Sequence, residues 1–457
     1  MEQFTLKKNA CYQAEILSVT GEGFGICRIN GMVVFVPQTL TGELCDVKIV
    51  KVLSRYAYGI ATLFHRTSPE RIQPECPVYR QCGGCCFRHL SYREELRIKE
   101  AMVQEAFKRI GGISFPPEPI LGSERISGYR NKAQYPVGSD GKSIIYGFYA
   151  NRSHRIIPCQ DCALQPPVFS DIARYTADQM QRLGVLPYSE KTGRGELRHL
   201  YLRMGEATGE IMLCFVASHD ISKKLCSLIP ELVEHFPKIK SIVLNLNLRR
   251  DNVILGKDCK TLWGKDTISD ILCGLQFHIS PLSFYQVNRL QAERLYQLAR
   301  EYASLGGSET VIDLYCGVGT IGLSMAGQCR RLIGVEIVPE AVENAKENAV
   351  RNGITNAEFI CADAKAAVKE LEKRGTRPDV VLLDPPRKGC DSAVIDDVTT
   401  MQPGKIVMIS CNPSTAARDC RLFEERGYRV SRYRAVDLFP RTGHVETVVL
   451  MSRVEGK

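Results

Sequence analysis

At 457 residues the chain is longer than one hydrophobic core is expected to support, so two or three domains are anticipated. No apolar run is long enough to cross a bilayer and no basic-then-apolar leader occupies residues 1–10, which predicts a cytoplasmic protein with no membrane partner. Sixty Lys plus Arg against 51 Asp plus Glu leave a formal charge of +9, a modest bias towards a polyanionic partner, while 19 cysteines in a reducing compartment are expected as ligands, nucleophiles or small core residues rather than disulfides.

Residues 1–66 carry short β-rich runs, CYQAEILSV, MVVFVP, CDVKIVKVL and YAYGIATLF, separated by glycine-containing turns such as TGEGFGI and NGM. Four or five strands in so few residues predict a small OB-like barrel. GEGFGIC followed by VVFVP resembles the core of a TRAM domain, which implies an RNA-binding module; a barrel that only docks is the alternative.

Residues 67–276 open on ECPVYRQCGGCCFRH, where Cys76, Cys82 and Cys85 have the spacing C-x5-C-x2-C. Turns through Gly83 and Gly84 can bring three thiolates to one metal centre, with a fourth from PCQDCALQ, which holds Cys159 and Cys162. Zinc and iron–sulfur sites both accept four sulfurs, so these residues leave the metal open. YREELRIKEAMVQEAFKRI reads as a helix, and HLYLRMG, EIMLCFVA and SIVLNLNL as strands of a mixed sheet. The segment is therefore expected to form a mixed α+β central domain. GYRNKAQYPV sets Arg130 and Lys132 beside Tyr129 and Tyr135, a pairing of phosphate-binding charge with stacking surfaces, or else a solvated turn.

Residues 277–457 begin with SPLSFYQVN and a helix, RLQAERLYQLAREYA, before strands and helices alternate to the end. That alternation predicts a parallel, doubly wound, Rossmann-like α/β domain. In TVIDLYCGVGTIGLSMA, Gly317, Gly319 and Gly322 satisfy G-x-G-x-x-G, a loop that suits a dinucleotide or S-adenosylmethionine. Asp313 discriminates between them: a carboxylate there repels a pyrophosphate and complements a sulfonium and an ammonium. Glu336 closes the next strand, where it can bond ribose hydroxyls, and Asp363 follows a third strand within reach of an adenine amino group. The fourth strand delivers Asp384, Pro385, Pro386 and Arg387. Amine-methylating proteins of this architecture usually show (N/D)PPY, and an arginine in place of the aromatic directs the chemistry to carbon.

In VMISCNPSTAARD, Cys411 lies where a buried strand meets a turn. C5 of uracil is too weak a nucleophile to attack a sulfonium methyl directly. A thiolate that adds to C6 makes C5 an enolate carbon able to take the methyl group, after which a base must remove the C5 proton. A buried, inert cysteine is the alternative reading.

FYQVN, DLYCGVGTIGL, DPPRKG, ISCNP and GHVETVVL, in this order and spacing, closely resemble the RNA uracil-5-methyltransferases, over nearly the whole chain. The resemblance implies that Gln286, Tyr315, Glu336 and Asp384 hold S-adenosylmethionine, with the role extended to Asp313, Thr320 and Asp363. It implies Cys411 as nucleophile and Glu446 as the base that removes the C5 proton. It further implies a [4Fe-4S] cluster on Cys76, Cys82, Cys85 and Cys162, DCALQ pointing to Cys162 over Cys159, with Cys86 outside the set. The expected reaction is methylation of uridine C5 in RNA, with 23S ribosomal RNA as target and transfer RNA as the alternative. Cytosine C5 methylation would call for a second cysteine in a Pro-Cys motif, where this chain has Asp384-Pro385-Pro386-Arg387. A non-catalytic RNA-binding protein is the reading from another class. The target base is expected to leave its stack to reach the thiol. No obligate protein partner is apparent, and nothing in the sequence sets the oligomeric state.

Overall fold

The computed structural model describes residues 6–454. Strands β1 (Cys11–Glu15), β2 (Ser18–Val19), β3 (Phe24–Ile29), β4 (Met32–Pro37), β5 (Leu44–Val52) and β6 (Tyr56–Arg66) pair in the order β1-β5-β6-β4-β3-β2. The two edge strands are consecutive in the chain, with only Ile16 and Leu17 between them, so the sheet has to curl on itself. Ile16 N donates to Glu43 O on one side and Leu17 N to Ile26 O on the other, which joins the edges into a barrel. Val34, Val36, Val47, Ile49 and Ala57 fill the interior. The two-residue period of β4 and β6 then turns Phe35, Tyr56 and Tyr58 outward.

After β7 (Glu118–Leu121) the chain builds a second sheet from β8 (Lys132–Ser139), β9 (Ile144–Tyr149), β10 (Ile156–Pro158), β11 (Leu197–Met204), β12 (Ile211–Ala217), β13 (Ile239–Leu246) and β14 (Asp258–Gly264). The order is β10-β9-β8-β11-β12-β13-β14, mixed because β12 and β13 are parallel. Every residue of β12 is buried, and helix Pro167–Arg182 adds Phe169, Ile172 and Met180 to the same core. A hairpin of β15 (Ile268–Leu272) and β16 (Leu275–Ile279) leads onward.

The third sheet joins β7 to β17 (Thr310–Leu314), β18 (Arg331–Glu336), β19 (Ala357–Cys361), β20 (Val380–Leu383), β21 (Lys405–Ser410), β22 (Tyr428–Val436) and β23 (Glu446–Arg453), in the order β19-β18-β17-β20-β21-β23-β22-β7. Two features depart from expectation. The sheet is not wholly parallel: β23 runs antiparallel to both β21 and β22, because residues 437–445 are too few for a crossover helix. The sequence boundary at residue 276 is also crossed, since β7 pairs with β22, and Val103, Phe107 and Ile113 enter the core of this sheet. Without β7, β22 would be an open edge with unpaired backbone groups.

The barrel seats directly on the rest of the molecule. A Cβ on Gly443 would lie 2.4 Å from Gly21 O, and one on Gly23 would lie 2.8 Å from Cys86 Cβ. Only bare backbone permits these approaches.

Candidate active site

The strand order reverses at β17, so the C-terminal ends of β17, β18, β20 and β21 surround one crevice. The antiparallel β23 begins at that same end. Ser410 pairs with Thr447, which brings Cys411, just past β21, beside Glu446, the first residue of β23. Asn412 is extended and caps helix Pro413–Glu424, its side chain accepting from Ser414 N at 3.1 Å. The cap and Pro413 end the strand sharply and leave the thiol at the mouth.

Asp313 is buried within β17. Its Oδ2 accepts from Gly322 N at 2.9 Å, fixing helix Thr320–Met325 to the strand, while Oδ1 is buried with no partner. Burial pushes its pKa to about 8, against the pull of the Gly322 N–H and with help from Asp384 and Glu336. Glu336 accepts from Gly317 N at 3.1 Å and from Ile337 N and Val338 N at 2.9 and 3.0 Å, tying the glycine loop to β18. Gly317 and Gly319 have φ of 55° and 83°, a region open to glycine, and Tyr315 enters the loop at 68°. The Tyr315 ring packs on the core with its hydroxyl beside Cys390.

Gln286 and Thr320 meet near Tyr296, whose buried hydroxyl lies 3.0 Å from Thr320 Oγ1 and faces the Gln286 side chain. Asn131 Nδ2 donates to Gln286 O at 3.0 Å, and Asn288 Nδ2 to Leu438 O at 3.1 Å, so the FYQVN segment is clamped from two sides. Sequence reasoning passed over Tyr296 and Asn131, because a tyrosine within a helix and an asparagine beside a strand carry no motif of their own.

Burial pushes Asp384 to about 7. It pushes Glu446 to about 8, aided by Asp384 and opposed by Arg387. The Cys411 thiol is raised by burial first and by Glu446 next, while the Arg387 guanidinium lowers it by charge and by a hydrogen bond. Arg387 is therefore the counter-charge to both groups. DPPRKG pointed to it only as a missing aromatic. Four carboxyl groups against one guanidinium, three of them held near neutral pKa by burial, make a crevice that a cationic ligand completes. The orphaned Asp313 Oδ1 fits that requirement.

Asp363 follows β19 at the same end of the sheet as Glu336, with Ala362 N donating to Glu336 O at 3.0 Å. It is exposed and caps helix Ala364–Lys373, with Oδ1 accepting from Ala366 N at 3.0 Å, a role that accounts for an acid at that turn. The stacking role expected of Tyr129 and Tyr135 is overturned: both are only 1% exposed, with hydroxyls bonded to Pro440 O and Gln165 Oε1. Tyr135 points inward from β8 and Tyr129 from the segment just before it, and a fully buried ring offers no face to a base.

Cys76, Cys82, Cys85 and Cys162 line one cavity of about 320 Å³, together with Cys159, Arg130 and Lys132. Gly84 N donates to Cys82 Sγ and Arg88 Nε to Cys85 Sγ, each at 3.4 Å. Among the described residues no group of three or more His, Cys, Asp or Glu side chains is gathered tightly enough for a single metal ion. No helix is long and apolar enough to cross a membrane among those residues.

Comparison with known proteins agrees with this architecture. Residues 272–454 match the tRNA (uracil-5-)-methyltransferase family and residues 7–62 the TRAM domain. An uncharacterized RNA methyltransferase of Bacillus cereus is 42% identical over 98% of both chains, and one of Oceanobacillus iheyensis is 42% identical over 97% of this chain and 96% of that one. The crystal structure of Pyrococcus abyssi tRNA (uracil-54, C5)-methyltransferase with S-adenosyl-L-homocysteine superposes with a TM-score of 0.77 at 26% identity, covering 96% of this chain and 99% of that one. The chain belongs to the RNA uracil-5-methyltransferase family, as an S-adenosylmethionine-dependent RNA methyltransferase with an N-terminal TRAM domain.

Proposed function

We propose that the protein methylates C5 of a uridine in 23S ribosomal RNA through a covalent adduct on Cys411. The observation that carries this reading is the juxtaposition of Cys411, Glu446 and Arg387 at the ends of β21 and β23. Gln286, Glu336 and Asp384 hold the methyl donor, with Asp313, Thr320 and Tyr315 shaping the loop beneath it. The Cys411 thiolate, stabilised by Arg387, adds to C6 of the extruded uracil, and the C5–C6 π electrons pass to C5 and O4. C5 takes the methyl group, and the donor leaves as S-adenosylhomocysteine. Glu446 removes the C5 proton, the C5–C6 double bond re-forms, and the thiolate is expelled. Both raised pKa values suit this order, because a sulfonium entering the crevice favours the ionised forms.

An RNA bearing 5-fluorouridine has no C5 proton to lose, so the adduct should accumulate on Cys411 after methyl transfer. Peptide mapping of the trapped complex checks this. An adduct elsewhere, or undiminished methylation by Cys411→Ala, overturns the covalent route.

Transfer RNA is the second reading, favoured by the likeness to the Pyrococcus abyssi enzyme, whose chain is of nearly the same extent. Barrel and central sheet alone therefore do not separate the two targets. Mapping 5-methyluridine in both RNAs from cells lacking the protein does: loss from 23S ribosomal RNA supports the first, loss from transfer RNA the second.

We also propose a [4Fe-4S] cluster on Cys76, Cys82, Cys85 and Cys162. These four sulfurs line one cavity, which Cys159 also borders, and with N–H donors at two of them they fit a group wider than one ion. Bound there, it would cross-link the two cysteine segments; methyl transfer requires no electron from it. Iron and acid-labile sulfide in anaerobically purified protein test the assignment, and stoichiometric zinc without sulfide overturns it.

A further inference from the structure

The crevice mouth at Cys411 opens into a cleft of about 830 Å³, whose far wall is the outer face of the barrel. That wall is aromatic. Phe24, Phe35, Tyr56 and Tyr58, half-buried and pointing away from the barrel core, form a connected patch with ring centroids 5.5 to 6.4 Å apart. The Arg152 guanidinium, from the central domain, lies 6.0 Å from the Tyr58 centroid. Arg387 and His444 stand on the catalytic wall opposite, and Glu22 is the one carboxylate of the lining. The close backbone approach of Gly21 to Gly443, three residues before Glu446, holds this face towards the thiol.

Barrel stability does not explain four aromatics on an outer face, since the interior is closed by valine, isoleucine, alanine, leucine and cysteine. The cleft is also larger than one flipped base requires: about 300 Å³ suffices for a small ligand pocket. Aromatic faces beside guanidinium groups are the arrangement on which unpaired bases stack.

We infer that the patch of Phe24, Phe35, Tyr56 and Tyr58 is a stacking platform for unpaired bases flanking the target uridine, so that the enzyme selects a single-stranded stretch whose neighbours can stack. The inference rests on the proposed RNA methylation, and deepens it by assigning the second wall of the cleft. A duplex keeps its base faces covered and cannot use the platform. The specificity it confers is for accessible base planes rather than for base identity.

The test is direct binding, followed by fluorescence anisotropy, of full-length protein to a short single-stranded RNA with one uridine among adenosines. A second RNA of the same length carries abasic sites in place of the flanking adenosines. Wild type should bind the first about tenfold more tightly than the second. Phe35→Ala and Tyr58→Ala should lose most of that ratio while binding the abasic RNA as wild type does, which also shows that the variants fold. Phe35→Tyr, which keeps a ring, should keep the ratio. Equal wild-type affinity for both RNAs, or a ratio unchanged in both alanine variants, overturns the platform. Because anisotropy reads no chemistry, absence of 5-methyluridine formation would count against the proposed reaction and leave this result to stand or fall by itself.

Discussion

Glu446 illustrates how a single residue acquires its chemistry from position. In GHVETVVL it is one acid among apolar neighbours; folded, it is 6% exposed, its pKa is about 8, and it stands beside the thiol. On the proposed mechanism, Glu446→Gln keeps the shape but cannot take the C5 proton. Methyl transfer should then proceed once and stall, so that a Cys411-linked RNA persists on denaturing gels while turnover falls roughly 100-fold or more. Arg387 acts on the same pair through its charge. Removing it in Arg387→Ala should raise both pKa values, moving the rising limb of kcat against pH to higher pH by about one unit, a loss of about tenfold at neutral pH that recovers in alkali. Arg387→Lys should restore part of the shift, and an unshifted profile would remove Arg387 from the mechanism.

At the scale of elements, residues 437–445, which deliver Glu446, are held by a buried ionic knot. Lys99 Nζ, fully buried, donates to Glu95 Oε1 at 2.8 Å, to Asp437 Oδ1 at 2.7 Å and to Phe439 O at 3.2 Å. Arg441 N donates to Glu95 Oε1 at 2.6 Å, and Tyr92 OH to Asp437 Oδ2 at 2.8 Å. Two cations and two carboxylates balance, and helix Tyr92–Ala106 carries half of them, started by Ser91 capping Glu94 N at 3.2 Å. Cys86 N and Phe87 N both donate to Arg441 O, so the cysteine loop grips the same segment. Lys99→Met leaves two buried carboxylates facing one remaining cation, Arg441, and should cost about 3–5 kcal/mol in urea unfolding. Residual folded Lys99→Met should show lower kcat with little change in RNA affinity, as expected of a loop that positions the base rather than one that binds substrate.

For the molecule as a whole, the acidic crevice couples stability to pH. Asp313, Asp384 and Glu446 have folded values of about 8, 7 and 8, against about 4 in an unfolded chain. The folded state therefore holds protons that the unfolded chain has released. The stability these groups contribute is complete below about pH 4 and is lost as pH rises through 7 to 8. The melting temperature of the free protein should fall between about pH 5 and pH 8.5, and fall less in Asp384→Asn. S-adenosylmethionine should raise the melting temperature more at about pH 8.5 than at about pH 6, with S-adenosylhomocysteine, which has no sulfonium, showing a weaker trend. Scanning fluorimetry across pH checks both, and an acid-side loss instead would contradict the buried carboxyl values.

Local pattern determined much: the alternating strands of the barrel, helix Arg289–Ala303, the glycine loop and the turn at Cys411 are all written in spacing and in residues that tolerate one backbone geometry. Long-range register decided the rest. Nothing near Glu446 in sequence says that its strand runs antiparallel to β21, that β7 seals β22, or that an aromatic barrel face looks across at the thiol. Those facts depend on which strands become neighbours and how domains abut. That choice is made by total burial and by the pairing of backbone groups, which no short window of sequence contains.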